Sequence, residues 1–120
     1  MKTIICDIDG TIFKYSPPGH DAVANEEPEI LPGVKEQFNA WEMAGHRIIL
    51  ITGRRESVRQ ITEATLVDYG IPFDTLLMGH ADTGRILIND VGKRGNCKAH
   101  VVSLERDLGM DKEDWSKVGL

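Results

Sequence analysis

Short apolar runs alternate along this chain with segments whose apolar residues recur every three or four positions. That alternation predicts an α/β fold, a parallel sheet flanked by helices. Thr3 to Cys6 reads as the first strand, short and nearly all apolar, as a strand buried on both faces should be. Pro32-Gly33 opens a helix in which Val34, Phe38 and Trp41 form one stripe, with Gly45 placed to end it. Arg47 to Ile51, containing "IILI", is the second strand. A second helix is expected from about Ser57 to Tyr69, capped by Ser57, with Val58, Ile61, Thr65 and Tyr69 facing inward and Gly70 and Pro72 closing it. Phe73 to Met78, Ile86 to Ile88 and Ala99 to Leu104 read as third, fourth and fifth strands. Two stretches break the rhythm. Lys14 to Leu31, with Pro17, Pro18, Gly19 and Pro28, predicts a long loop or flap, and loops of that length usually carry function or are disordered. The C-terminal "ERDLGMDKEDWSKVGL" has no clear period; Trp115 is expected to cover a sheet edge.

The totals narrow the class. At 120 residues the chain makes one domain with a modest core. Its formal net charge of -5 argues against a nucleic-acid partner held through bulk charge, although "GRR" and "GKRG" cluster cations locally. No apolar run approaches a membrane span and no leader is read at the start, so a protein without a membrane partner is expected. Cys6 and Cys97 are far apart and lack metal-ligand spacing; two free thiols suit a reducing cytoplasm.

The chemistry lies where the strands stop. "TIIC" ends in Asp7 and Asp9, "IILI" ends in Thr52-Gly53-Arg54, and "ILI" ends in Asn89-Asp90. In an open parallel sheet the carboxyl ends share one side, and ligands bind there. With the first strand central, between the second and fourth, these groups would converge on one crevice. Three carboxylates in one place need a cation, and Mg²⁺ suits oxygen donors and a phosphate.

"DIDGT" after an apolar strand resembles the first signature of the haloacid dehalogenase superfamily, most of whose members are Mg²⁺-dependent phosphatases. "IILITGRR" resembles its second signature and "RILIND" its fourth. The resemblance implies a Rossmann-like, doubly wound α/β domain: a mainly parallel sheet of about five strands with helices on both faces and no full cap domain. Residues 1–120 would form that single domain, with 14–31 as an inserted loop or flap. It implies Asp7 as nucleophile, passing through an aspartyl-phosphate, and Asp9 as general acid and base. Gly10 and Thr11 would form the turn beside the phosphate. Thr52 and the Gly53 N–H would bind phosphoryl oxygens, and Arg54 would touch substrate. Asp7, Asp9 and Asp90 would hold Mg²⁺.

The sequence departs from the family at the third signature, a Lys or Arg that neutralises phosphate and nucleophile. No Lys occurs between Lys35 and Lys93. Arg85 is the leading replacement, being charged at any working pH, with His80 and Lys93 as alternatives. The implied activity is a phosphomonoesterase acting on a small phosphorylated substrate such as a sugar phosphate. Without a cap, a neighbouring subunit in a homo-oligomer would close the site. A polynucleotide 3′-phosphatase-like activity and a phosphate-binding relative without turnover are the competing readings. A receiver domain also binds Mg²⁺ beside an aspartate, but its acids are usually adjacent and its acceptor Asp ends the third strand.

Overall fold

A computed structural model describes residues 1–15 and 27–120. The inserted loop expected at 14–31 therefore lies mostly outside the described residues. Its two ends close on each other, with the Lys14 N–H donating to the Glu29 carbonyl at 2.9 Å and the Leu31 N–H to the Ile12 carbonyl at 2.9 Å.

The described chain runs β1 (Thr3–Asp7), α1 (Val34–Met43), β2 (Arg47–Ile51), a 3-10 turn (Glu56–Val58), α2 (Arg59–Asp68), β3 (Thr75–Leu77) and a C-terminal 3-10 turn (Trp115–Val118). The strands form an open parallel sheet in the order β1-β2-β3. Asp7 pairs with Ile51, and Ile51 with Leu77, so the three carboxyl ends are level.

Side chains alternate across a strand, so each strand offers one set of residues to each face. Cys6, Ile48, Leu50 and Leu76 are buried with Val34, Phe38, Trp41 and Leu66 in one core. The opposite face is bare: Ile5 is 51% exposed and Leu77 37%. Both described helices pack on the core face.

The α1 stripe is as its spacing predicts, with Val34, Phe38 and Trp41 buried. In α2 the inward positions are Thr62 and Leu66, while Ile61 is 42% exposed. Thr62 turns inward because its Oγ1 accepts a hydrogen bond from Arg54 Nη1 at 3.1 Å, a buried polar contact that apolar periodicity does not register. Ser57 does not cap this helix; it lies inside the preceding 3-10 turn.

The larger difference is at the fourth and fifth strands. Among the described residues neither 86–88 nor 99–104 forms a strand, and the sheet has three strands. Among the described residues β1 is therefore an edge and not the centre. Ile86 and Ile88 are 91% and 90% exposed. A run that looks like a buried strand needs a partner strand to bury it, and none of the described residues supplies one.

Trp115 packs edge-on against Trp41 of α1, with ring centroids 5.1 Å apart, so it covers a helix and not the sheet edge. No helix among the described residues is long and apolar enough to cross a membrane.

Candidate active site

The turn after β1 is tight. The Thr11, Ile12 and Phe13 N–H groups all donate to the Ile8 carbonyl, at 2.8–3.2 Å. Gly10 has φ +86°, a conformation that costs other residues about 1–2 kcal/mol. A Cβ there would also sit 3.1 Å from Arg106 Cγ. The turn buries Ile8 and Ile12 and leaves Asp7 and Asp9 at the level of the strand ends.

Asp9 and Arg54 form a buried pair across β1 and β2. Arg54 Nη2 lies 2.7 Å from Asp9 Oδ1, and Nε donates to Oδ2 at 2.9 Å. This two-toothed geometry matches the planar fork of a guanidinium to both carboxylate oxygens. Arg54, expected from the sequence to touch substrate, is 2% exposed and holds Asp9 through both carboxylate oxygens. Thr52 is also buried; its Oγ1 accepts from the Arg54 N–H at 3.1 Å. Gly53, half-exposed, has an N–H that makes no hydrogen bond with the described residues. The Gly79 N–H donates to the Arg54 carbonyl at 2.7 Å and the His80 N–H to the Thr52 carbonyl at 2.9 Å, locking the β2 and β3 ends together.

Asp7 is partly open to solvent, its side chain 28% exposed. Arg85 Nη1 lies 3.1 Å from its Oδ1, and Arg85 Nη2 points to the His80 carbonyl. Of the three cations considered for the missing Lys, Arg85 is the one set against Asp7. Burial pushes the Asp7 carboxyl above its ordinary value, Arg85 pulls it back, and Asp9 adds repulsion. A raised acid favours folding at low pH, where it is neutral, and that contribution is lost as pH rises through the folded value. The charged Asp7 is therefore a cost to stability, characteristic of a functional position.

Asp90 stands elsewhere. Its side chain is 79% exposed and paired with Lys98. Among the described residues no three Asp, Glu, His or Cys groups gather closely enough to hold a metal ion. The donor types suit a hard cation, but among the described residues Asp90 does not gather with Asp7 and Asp9. Two clefts of about 420 and 450 Å³ lie along α1, lined by residues such as Glu36, Met110 and Tyr69, away from these carboxylates.

The sequence reading missed a brace from the C-terminal segment. The Asp107 N–H donates to the Gly10 carbonyl at 3.0 Å, and Asp107 Oδ1 accepts from the Tyr15 N–H at 2.7 Å. Arg106 stacks on the Tyr15 ring at 4.9 Å. Asp107 has φ +65°, and the Asp-Leu-Gly that begins there is a turn signal that could have marked the segment.

An open parallel sheet with DxDGT closing its first strand and Thr-Gly-Arg its second defines a protein of the haloacid dehalogenase superfamily. Residues 1–89 match the family model of the polynucleotide kinase PNKP phosphatase domain (HAD_PNKP), and the chain belongs to that family. It is similar to solved structures of a Pnkp1/Rnl/Hen1 complex (29% identity, TM-score 0.58, 71% of this chain and 30% of that one). A second, the Pnkp1/Rnl/Hen1 RNA repair complex, has the same identity and score over 70% of this chain and 27% of that one. The chain thus spans less than a third of the length of those proteins. A Vibrio cholerae protein shares the fold at 22% identity and TM-score 0.55, over 75% of this chain and 80% of that one. No curated protein matches the sequence.

Proposed function

We propose that the protein is a phosphomonoesterase whose nucleophile is Asp7. The observation that carries this reading is a partly exposed, up-shifted carboxylate at the end of a parallel strand with a guanidinium 3.1 Å away. An Asp7 oxygen attacks phosphorus in line, a P–O bond forms and the bond to the leaving oxygen breaks; water then attacks the phosphorus, the bond to the Asp7 oxygen breaks, and phosphate leaves. The Gly53 N–H and the Thr52 hydroxyl hydrogen are the donors for phosphoryl oxygens, and Arg85 offsets the negative charge shared by phosphate and Asp7. Asp9 serves the proton transfers. Both its oxygens accept from Arg54, so taking a proton from the hydrolytic water requires release of one of those bonds. Giving one to the leaving oxygen requires release of one of those two bonds. Members of the superfamily generally use Mg²⁺, and Asp7, Asp9 and Asp90 are the residues assigned to it here. Among the described residues of one chain Asp90 does not gather with the other two.

The substrate class assigned is a small phosphate ester bound at an open site in the cytoplasm, consistent with the acidic net charge. A phosphorylated polynucleotide end is the second reading, favoured by the family match over residues 1–89. The test is phosphate release from sugar phosphates, nucleotides and 3′-phosphorylated oligonucleotides, with Mg²⁺ and with EDTA. Asp7→Asn should abolish release while melting no lower than wild type, because it removes a destabilising charge. Undiminished release by this variant would show that Asp7 is not the nucleophile. The best substrate decides between the two classes.

A further inference from the structure

We infer that two copies of this chain exchange residues 86–90, each laying this segment along the free edge of the other's β1 so that the partner's Asp90 completes the acidic site. The inference rests on the assignment of Asp90 just made.

Three observations meet here. First, among the described residues one edge of β1 pairs with no strand, beside a partly exposed sheet face, and such a row of open N–H and C=O groups accepts another strand. Second, the same chain carries an extended apolar arm with nothing on it. Among the described residues the backbone of 86–91 makes no hydrogen bonds. Ile86, Ile88 and Val91 are exposed. Both ends of the arm are tied to the site, Arg85 to Asp7 and Asp107 to Gly10, while a turn at Gly92–Asn96 forms its tip. The molecule is accordingly elongated, 49 × 27 × 24 Å.

The third observation is directional and excludes the chain's own arm. To place Asp90 beside Asp7, residues 86–90 must run parallel to β1, with residue 86 at its amino end. Arg85 is held at the carboxyl end, and residue 86 follows it directly. The 78–85 connector is also shorter than the dozen or so residues a parallel crossover needs. Within one chain the arm can lie only antiparallel to β1, which carries Asp90 away from Asp7.

A second copy removes the conflict. If two β1 strands face each other antiparallel about a twofold axis, each arm leaves its own carboxyl end and runs parallel to the partner's β1. The sheets then join in the order β3-β2-β1-arm′-arm-β1′-β2′-β3′, with the two arms antiparallel at the centre. The free edge of each β1 is paired, and the interface is isologous, as a twofold requires.

Light scattering on the full chain should give about twice the 13.3 kDa chain mass, and Ile88→Pro should give the single mass. Mixing Asp7→Asn with Asp90→Asn chains, refolded together, tests the exchange itself. Half the dimers are mixed and half the sites in those carry both carboxylates, so about one quarter of wild-type phosphate release should return. A monomer at micromolar concentration, or a dimer that Ile88→Pro leaves intact, overturns the inference. So does a mixture that stays inactive beside an active wild type. If wild type itself releases no phosphate, the proposed function fails, and the mass of wild type against Ile88→Pro decides the exchange alone.

Discussion

Two regions of this chain carry similar apolar runs and meet opposite fates. At the β1–β2 ends, "TIIC" and "IILI" are paired strand to strand, and their core-facing side chains are buried under two helices. The polar groups that follow are fixed by what lies beneath them: Arg54 grips Asp9, and Thr62 holds Arg54. In the arm, "ILI" has no neighbouring strand or helix among the described residues, and its acidic residue is mostly exposed. Apolar sequence is a tendency to be buried; whether it is depends on a partner surface within reach of the connecting chain.

The largest expected effect separating the regions is at Arg54. Arg54→Ala removes the guanidinium from a buried carboxylate and should cost about 3–5 kcal/mol of stability. Urea denaturation would measure it, and an unchanged midpoint would show that Asp9 finds another partner. Activity should fall with it, since Asp9 loses its placement. Next, Leu50→Ala in the paired region should cost about 2–5 kcal/mol. Ile88→Ala should leave the folding of a single copy nearly unchanged and act on self-association instead. Equal losses at both positions would mean that the arm is buried in the folded monomer.

Arg85→Ala should lower phosphate release roughly a hundredfold, as loss of an electrostatic donor does, with little change in melting, since Arg85 is a surface residue. An unchanged rate would return the cationic role to His80 or Lys93. The smallest effect concerns the thiols. Burial pushes Cys6 up to about 12, whereas Cys97 is exposed. A thiol reagent at pH 8 should modify Cys97 and spare Cys6 in the native protein, and reach both in denaturant. Two reactive thiols in the native state would place Cys6 at an open surface.

The sequence by itself determined the local parts. Asp7 and Asp9 follow a strand because β-branched apolar residues run up to them, and Gly10 permits the turn. The α1 stripe of Val34, Phe38 and Trp41 was legible because it is a matter of period alone. Properties that join distant residues were not. The role of Arg54 beneath Asp9, the inward turn of Thr62 and the Asp107 brace depend on which side chains meet across the fold. Apolar periodicity carries no information about buried polar pairs. The fourth strand shows this most clearly: "RILIND" has the composition of a strand, yet Arg85 is anchored at the wrong end of β1 for its own chain to pair it in parallel. Composition set the tendency of that segment to be buried, and connector length and direction, which only the tertiary structure decides, leave it uncovered among the described residues.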